Sequence, residues 1–150
     1  MHLAAVAISD PYNLQRFIDG QDGVFETVLA ELSAGSKKSH WMWFIFPQLA
    51  DLGRSPAARF FGIETADEAR AYFVHPLLGL RLNQSVQALL PWARKRSAEE
   101  ILGTVDAMKL RSSLTLFDRI EPRGLFDRAL LNFFNGCRDE RTLALLRHQG

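Results

Sequence analysis

The strongest candidates for binding or catalysis in this chain are a lysine and a serine one helical turn apart, Lys109 and Ser113. If residues 109–117 form a helix at about 100° per residue, both lie inside an arc of apolar side chains, with Ser112 and Thr115 on the opposite side. Burial of an unpaired ammonium group is unfavourable, and no acidic residue nearby in the sequence is an evident partner. We therefore expect Lys109 to face a cavity, with Ser113 facing the same space.

Several alternatives for Lys109 stay open at this point. Its stem can pack on apolar neighbours while the amine reaches water, or the amine can form a structural salt bridge. It can instead bind an anionic or carbonyl-bearing ligand. The spacing to Ser113 also permits a nucleophile and base pair, although two such residues four apart are common by chance.

An aromatic segment, Ser39–Gln48, holds two of the three tryptophans. Its central residues are apolar on every face, so other elements must cover most of them. One interpretation is a central core segment. The other is that the rings of Trp41 and Trp43 wall a pocket with His40 and Gln48 at its rim, since tryptophan serves both purposes.

Basic residues in two loops add positive charge to this hypothesis. Lys37 and Lys38 lie in one polar turn, and Arg54 and Ser55 lie in another. If these loops converge on Lys109, they complete a site for a phosphate or a carboxylate; otherwise they are ordinary solvated loops. The predicted ligand-binding residues are Lys109, Ser113, His40, Trp41, Trp43, Gln48 and Arg54.

Other kinds of site find little support. The four histidines show no paired ligand spacing and there is one cysteine, so we expect no metal site and no cofactor. No glycine-rich phosphate loop and no nucleophile elbow is present. No general acid and base pair follows from the spacing, so the sequence does not decide whether the protein is an enzyme.

Composition narrows the partners and the compartment. The net charge of +1 lacks the basic excess of a nucleic-acid-binding protein. The longest apolar run, Trp41–Phe46, is far shorter than the roughly 20 residues of a membrane span. The single Cys137 fits a reducing compartment, and the start of the chain lacks the basic region of a signal peptide. We expect a cytoplasmic protein that binds neither nucleic acid nor a membrane.

Start and stop signals predict about seven or eight short helices. Asp10-Pro11, Thr65, Ser97 and Asp139 are typical helix starts, and Asn135-Gly136 is a typical stop. The segments they bound have one apolar stripe each, which a helix must bury against another helix.

The segment near Trp43 is the one candidate for extended chain, because it is aromatic and Pro47 disfavours helical geometry at Phe46. Residues 52–56 read as a loop. The predicted fold is mainly α: a compact single-domain bundle over residues 1–150, with at most one short extended segment near Trp43.

The surplus of large apolar residues supports a different function. Eleven phenylalanines and three tryptophans are many for 150 residues. If some remain exposed in one contiguous patch, that patch marks a partner surface. The alternative to a ligand pocket is therefore an interaction module without catalytic activity, with a homodimer as its simplest form.

At these motifs the chain resembles an uncharacterised family, the domain of unknown function eighteen-ten. The resemblance rests on residues 13–17, 39–48, 52–55, 75–79 and 109–117. It implies a small, mainly helical, stand-alone protein and supplies no activity, ligand or catalytic residue. Members are sometimes labelled calpastatin-like; inhibitors of that type act through disordered segments, whereas this chain has the apolar content of a folded core.

Overall fold

The computed structural model describes residues 9–149, which form ten α-helices and two short 3₁₀ turns at 50–52 and 90–92. The helices are α1 Gln15–Gln21, α2 Phe25–Ser33, α3 Met42–Ile45, α4 Pro56–Phe60, α5 Ala66–Val74, α6 Leu78–Leu89, α7 Ala98–Leu102, α8 Thr104–Ile120, α9 Leu125–Phe134 and α10 Glu140–Gln149. The only β-type pairing in this range is an isolated bridge between Leu49 and Ile63. The mainly α prediction is confirmed.

Three of the four predicted helix starts, at Thr65, Ser97 and Asp139, carry the hydrogen bonds that define a cap. The fourth was placed too early: the Asp10 carboxylate accepts from the backbone N–H groups of Leu14 and Gln15, and α1 begins at Gln15 rather than at Pro11. The Thr65 hydroxyl accepts a bond of 3.1 Å from the backbone N–H three residues later. Ser97 and Glu100 form a reciprocal capping box, with each side chain accepting from the backbone N–H of the other. The Asp139 carboxylate accepts from the backbone N–H of Thr142 at 3.0 Å. These caps are local, which is why the sequence predicts them.

Two helices were not predicted, α3 and α4. The segment near Trp43 is not extended: it forms the single helical turn Met42–Ile45, and it is covered by α1 and α6. Helix α4 begins at Pro56, inside the stretch predicted as loop, because Ser55 caps it and accepts from the backbone N–H of Ala58 at 3.1 Å.

Helix α8 runs through the centre of the fold and packs against α5, α7, α9 and α10. Every residue from 112 to 117 is buried, so the polar side that the sequence predicted for Ser112 and Thr115 is not an exposed face of the helix. Both hydroxyls are satisfied inside the helix, because they donate to the carbonyl oxygens of Met108 and Arg111.

Four aromatic rings fix the position of α8 in the core. Successive ring centroids lie 5.0 Å apart from Phe17 to Tyr72, 5.5 Å from Tyr72 to Phe117 and 5.7 Å from Phe117 to Phe126. These rings belong to α1, α5, α8 and α9. No helix among the described residues is both long enough and apolar enough to cross a membrane.

Candidate functional site

One side of α8 forms the wall of a cleft of about 260 Å³, called here the α8 cleft. Val105, Met108, Lys109 and Ser112 line it. Their spacing of three, one and three residues places them along a single stripe of the helix. The N-terminal half of α8 therefore faces the cleft, while its C-terminal half lies in the core.

The opposite wall comes from segments that are distant in sequence. Trp43 contributes from α3, and Gln48 and Leu52 follow it along the chain. The start of α10 adds Asp139 and Arg141. The cleft thus combines an aromatic and aliphatic surface with polar groups, which is the usual composition of a ligand pocket.

The loop that carries Arg54 is held against α4 by close packing at Gly53. A Cβ atom added to Gly53 would lie 2.4 Å from the Cβ atom of Ala58, a distance that no side chain tolerates. Ser55 then caps α4. The glycine and the cap together fix the backbone on both sides of Arg54, so that this residue lines the cleft.

Lys109 has a carboxylate partner one turn earlier on its own helix. Its Nζ atom lies 3.2 Å from Oδ1 of Asp106 and 4.7 Å from the centroid of the Trp43 ring. The expectation that no acid lies nearby in the sequence is therefore wrong. Because Oδ2 of Asp106 lies 2.9 Å from Nζ of Lys37, one carboxylate is shared by two ammonium groups.

The cleft keeps an excess of positive charge after these contacts. Arg54 and Arg141 are exposed and line it. Among residues 9–149, neither takes part in a side-chain hydrogen bond or a salt bridge. The acid that lines the cleft, Asp139, is already engaged as the cap of α10, where it accepts from Thr142. The arrangement is suited to attract an anion.

Four of the seven predicted ligand-binding residues line this cleft, namely Trp43, Gln48, Arg54 and Lys109. The structure brings them together from α3, two loops and α8. This grouping is a statement of geometry, and ligand binding itself stays a prediction.

The other three predicted residues lie elsewhere. Trp41 is buried, and its indole N–H donates to Glu31 at 2.9 Å. His40 is exposed and does not line the cleft. Ser113 is 1% exposed in the core, where its hydroxyl has no hydrogen-bond partner in the described part of the chain. Ser112, one position earlier, faces the cleft instead, because the cleft stripe passes through positions 105, 108, 109 and 112.

A carboxylate that the sequence analysis missed organises the loop before α3. Glu31 accepts from the backbone N–H of Lys38 at 2.7 Å, from that of Ser39 at 3.0 Å, from the Ser39 hydroxyl and from Trp41. Burial raises the pKa of Glu31, but these hydrogen bonds outweigh it and lower the pKa to about 2. The resulting loop places Lys37 against Asp106.

The residues in the cleft or next to it that the sequence analysis did not name fall into two groups. Val105, Met108 and Asp106 lie within one turn of Lys109 on the same helix, so helical spacing alone could have identified them. Arg141 lies on α10 and reaches the cleft because α10 packs on α8. No local pattern predicts that contact.

The potential nucleophiles of the cleft are engaged in structural contacts. The Ser112 hydroxyl donates to the Met108 carbonyl at 3.2 Å, and the Ser55 hydroxyl accepts from Ala58. Within residues 9–149, no cluster of three His, Cys, Asp or Glu residues is arranged to hold a metal ion. The geometry offers cations and apolar surface, and within residues 9–149 neither of these two serine hydroxyls is bonded to a side chain that could act as a base.

Comparison with known proteins identifies a family and a related structure whose descriptions give no function. The family described as "Protein of unknown function (DUF1810)" matches residues 11–146. The fold is similar to the crystal structure of the conserved hypothetical protein Rv1873 from Mycobacterium tuberculosis, with 45% sequence identity, a TM-score of 0.88, and coverage of 92% of this chain and 99% of that chain. No curated protein matches the chain.

Proposed function

We propose that this chain, which belongs to the DUF1810 family of proteins of unknown function, binds a small anionic compound in the α8 cleft. Neither the family nor the related structure supplies an activity. The proposal therefore rests on the cleft itself. The observation that carries it is that Arg54 and Arg141 line a concave surface beside Lys109 and have no polar partner within residues 9–149.

The ligand class follows from the charge of the lining residues. A guanidinium group presents donors in a planar fork that matches a carboxylate or a phosphate. Exposed arginines are common, but these line a hollow that also contains Trp43. Its volume of about 260 Å³ is just below the roughly 300–1,000 Å³ of pockets for drug-sized ligands, which favours a smaller compound.

The hydrogen bonds and ion pairs of the cleft residues favour ligand binding over covalent catalysis. Lys109 is paired with Asp106, and Ser112 donates to a carbonyl of its own helix. The catalytic alternative needs the Lys109 amine and the Ser113 hydroxyl in direct hydrogen bond, whereas that hydroxyl has no hydrogen-bond partner within residues 9–149.

Isothermal titration calorimetry with phenyl phosphate tests the proposal. Arg54→Gln should weaken binding about tenfold, which corresponds to about 1.4 kcal/mol, because it removes a charged donor from the cleft. The matched control is Arg94→Gln, which removes an exposed arginine outside the cleft and should bind as the wild type does. Equal losses in both variants, or no binding of any anion to the wild type, would overturn the proposal.

Self-association is the second candidate function, and exposed apolar residues favour it. Val74 at the end of α5 is 68% exposed, and Leu80 near the start of α6 is 55% exposed. A patch that includes both would serve as a dimer surface. Light scattering coupled to gel filtration tests this alternative. A monomer at high protein concentration rules it out. If the protein is a dimer, Val74→Ser should dissociate it.

A further inference from the structure

The α8 cleft has an apolar half that the proposed anion site does not explain. Val105 is 66% exposed and Met108 is 62% exposed, and both belong to the cleft stripe of α8. Of the large apolar side chains that are strongly exposed among residues 9–149, these two are the ones that line the cleft. Leu52 and the partly exposed ring of Trp43 continue the same surface.

The two halves of the cleft meet at Trp43. The Lys109 amine lies 4.7 Å from the centroid of that ring. A charge-assisted hydrogen bond to the amine spans only about 2.8 Å. An anionic group held by Lys109 is therefore adjacent to the aromatic wall, so an apolar body attached to that group through at most one atom would lie along Trp43 and Met108.

The chemistry of the apolar half favours an aromatic body. The methionine thioether is flexible and polarisable, and it makes favourable contacts with aromatic rings. A tryptophan ring pairs with another ring in offset or edge-to-face arrangements. Met108 and Trp43 therefore complement a ring better than they complement a polar sugar or a hydrated ion.

On the basis of the proposed function, we infer that the ligand of the α8 cleft is an aromatic ring joined directly, or through one atom, to a phosphate or a carboxylate. The ring covers Trp43, Met108 and Val105, and the anionic group is bound by Lys109 and Arg54. An anion without a ring would contact only the basic residues of the cleft, and a neutral ring would contact only the apolar residues.

Calorimetric titration of the wild type with matched probes tests this class. Phenyl phosphate should bind at least about tenfold more tightly than inorganic phosphate, and phenylacetate should exceed acetate by a similar factor, because burial of a ring adds apolar contact area. Phenol, which has the ring without the charge, should bind more weakly than phenyl phosphate by a factor of about ten or more.

Variants separate the two halves of the site. Met108→Ser should weaken phenyl phosphate about fivefold and leave inorganic phosphate unchanged, because it removes apolar contact and no charge. Arg54→Gln should weaken both probes. Leu131→Ser is the matched control, since Leu131 is 54% exposed on α9 and does not line the cleft. Thermal unfolding of each variant verifies that it is folded.

The outcomes distinguish this inference from the proposed function. If inorganic phosphate binds as tightly as phenyl phosphate, or if Met108→Ser weakens both probes equally, the aromatic class is excluded while the anion site stands. If Leu131→Ser has the same effect as Met108→Ser, the class is also excluded. If no anion binds to the wild type, both the inference and the proposed function fail.

Discussion

Two arginines of this protein, Arg16 and Arg54, occupy opposite kinds of surroundings. The Arg16 guanidinium donates to the carbonyl oxygens of Phe60 and Gly62 at 2.8 Å each and to the Glu68 carboxylate at 2.7 Å. Its remaining donors bond to carbonyls before α1. Arg54 is exposed in the α8 cleft and bonds to no side chain or carbonyl among the residues that the structure describes.

The difference shows how a cation that holds the fold is distinguished from one that is available to a ligand. Every nitrogen of Arg16 has an acceptor, and its side chain is only 8% exposed, so nothing is left for another molecule. Residue type is the same in both cases. The number of acceptors within reach decides the role, because an arginine with all its donors satisfied gains little from an added anion.

The sharpest way to test this contrast is Arg16→Met. We expect a loss of about 3–5 kcal/mol in the free energy of unfolding, because the buried Glu68 carboxylate loses its counter-ion. Urea denaturation followed by circular dichroism measures it. The matched variant Arg54→Met should change stability by less than about 0.5 kcal/mol. Similar values for the two variants would contradict the assignment of a structural role to Arg16 alone.

Glu31 is a second ion with several hydrogen-bond partners, and it orders the loop that brings Lys37 to Asp106. Glu31→Gln should lower the free energy of unfolding by about 2 kcal/mol at neutral pH, because charge-assisted hydrogen bonds to the loop before α3 become neutral. Urea denaturation measures this loss. Glu26→Gln, an exposed change on the same helix, serves as the control.

The difference in free energy of unfolding between the wild type and Glu31→Gln should depend on pH. The folded-state pKa of Glu31 is about 2, below its ordinary value of 4.5. Its contribution is therefore complete above pH 4.5 and is lost as the pH falls towards 2. The stability difference between wild type and Glu31→Gln should shrink over that interval. A difference that stays constant down to pH 2 would mean that the carboxylate charge contributes nothing.

Lys109 is an intermediate case between Arg16 and Arg54, because it has one acidic partner, Asp106. Removal of that charge should make the Lys109 amine more available to a ligand. Asp106→Asn removes the counter-ion of Lys109 and Lys37. Calorimetry should show phenyl phosphate binding tightened by about three- to tenfold, an effect that decreases with added salt. Asp67→Asn, which breaks an exposed pair with Arg70, is the control. Weaker binding in Asp106→Asn would show that Asp106 positions Lys109 rather than competing with the ligand.

Prediction of the fold from sequence succeeded where the determinants are local. The starts of α5 and α7 follow from Thr65 and Ser97, whose side chains bond to amides three residues away. The end of α9 follows from Asn135, which adopts a left-handed conformation there. Helix α3 was missed because four apolar residues carry no period, and its conformation depends on the elements that cover it.

The lining of the cleft could be predicted from the sequence only in part, for a related reason, and its role as a ligand site stays a prediction. Helical spacing indicated that Lys109 faces inward, and the same spacing extends to Met108 and Val105. It could not distinguish Ser112 from Ser113, because helices pack on several sides of α8 and bury both. The distinction between Trp41 and Trp43 depended on Glu31, which accepts the indole N–H of the former.

The helix caps, the apolar stripes and the inward direction of Lys109 can all be derived from the order of the residues, because each depends on neighbours within about one turn. The distribution of charge in the α8 cleft cannot be derived in that way. It depends on Lys37 reaching Asp106 and on Arg54 and Arg141 approaching the same hollow. Those contacts join segments that are distant in sequence, so they depend on how the helices pack around α8.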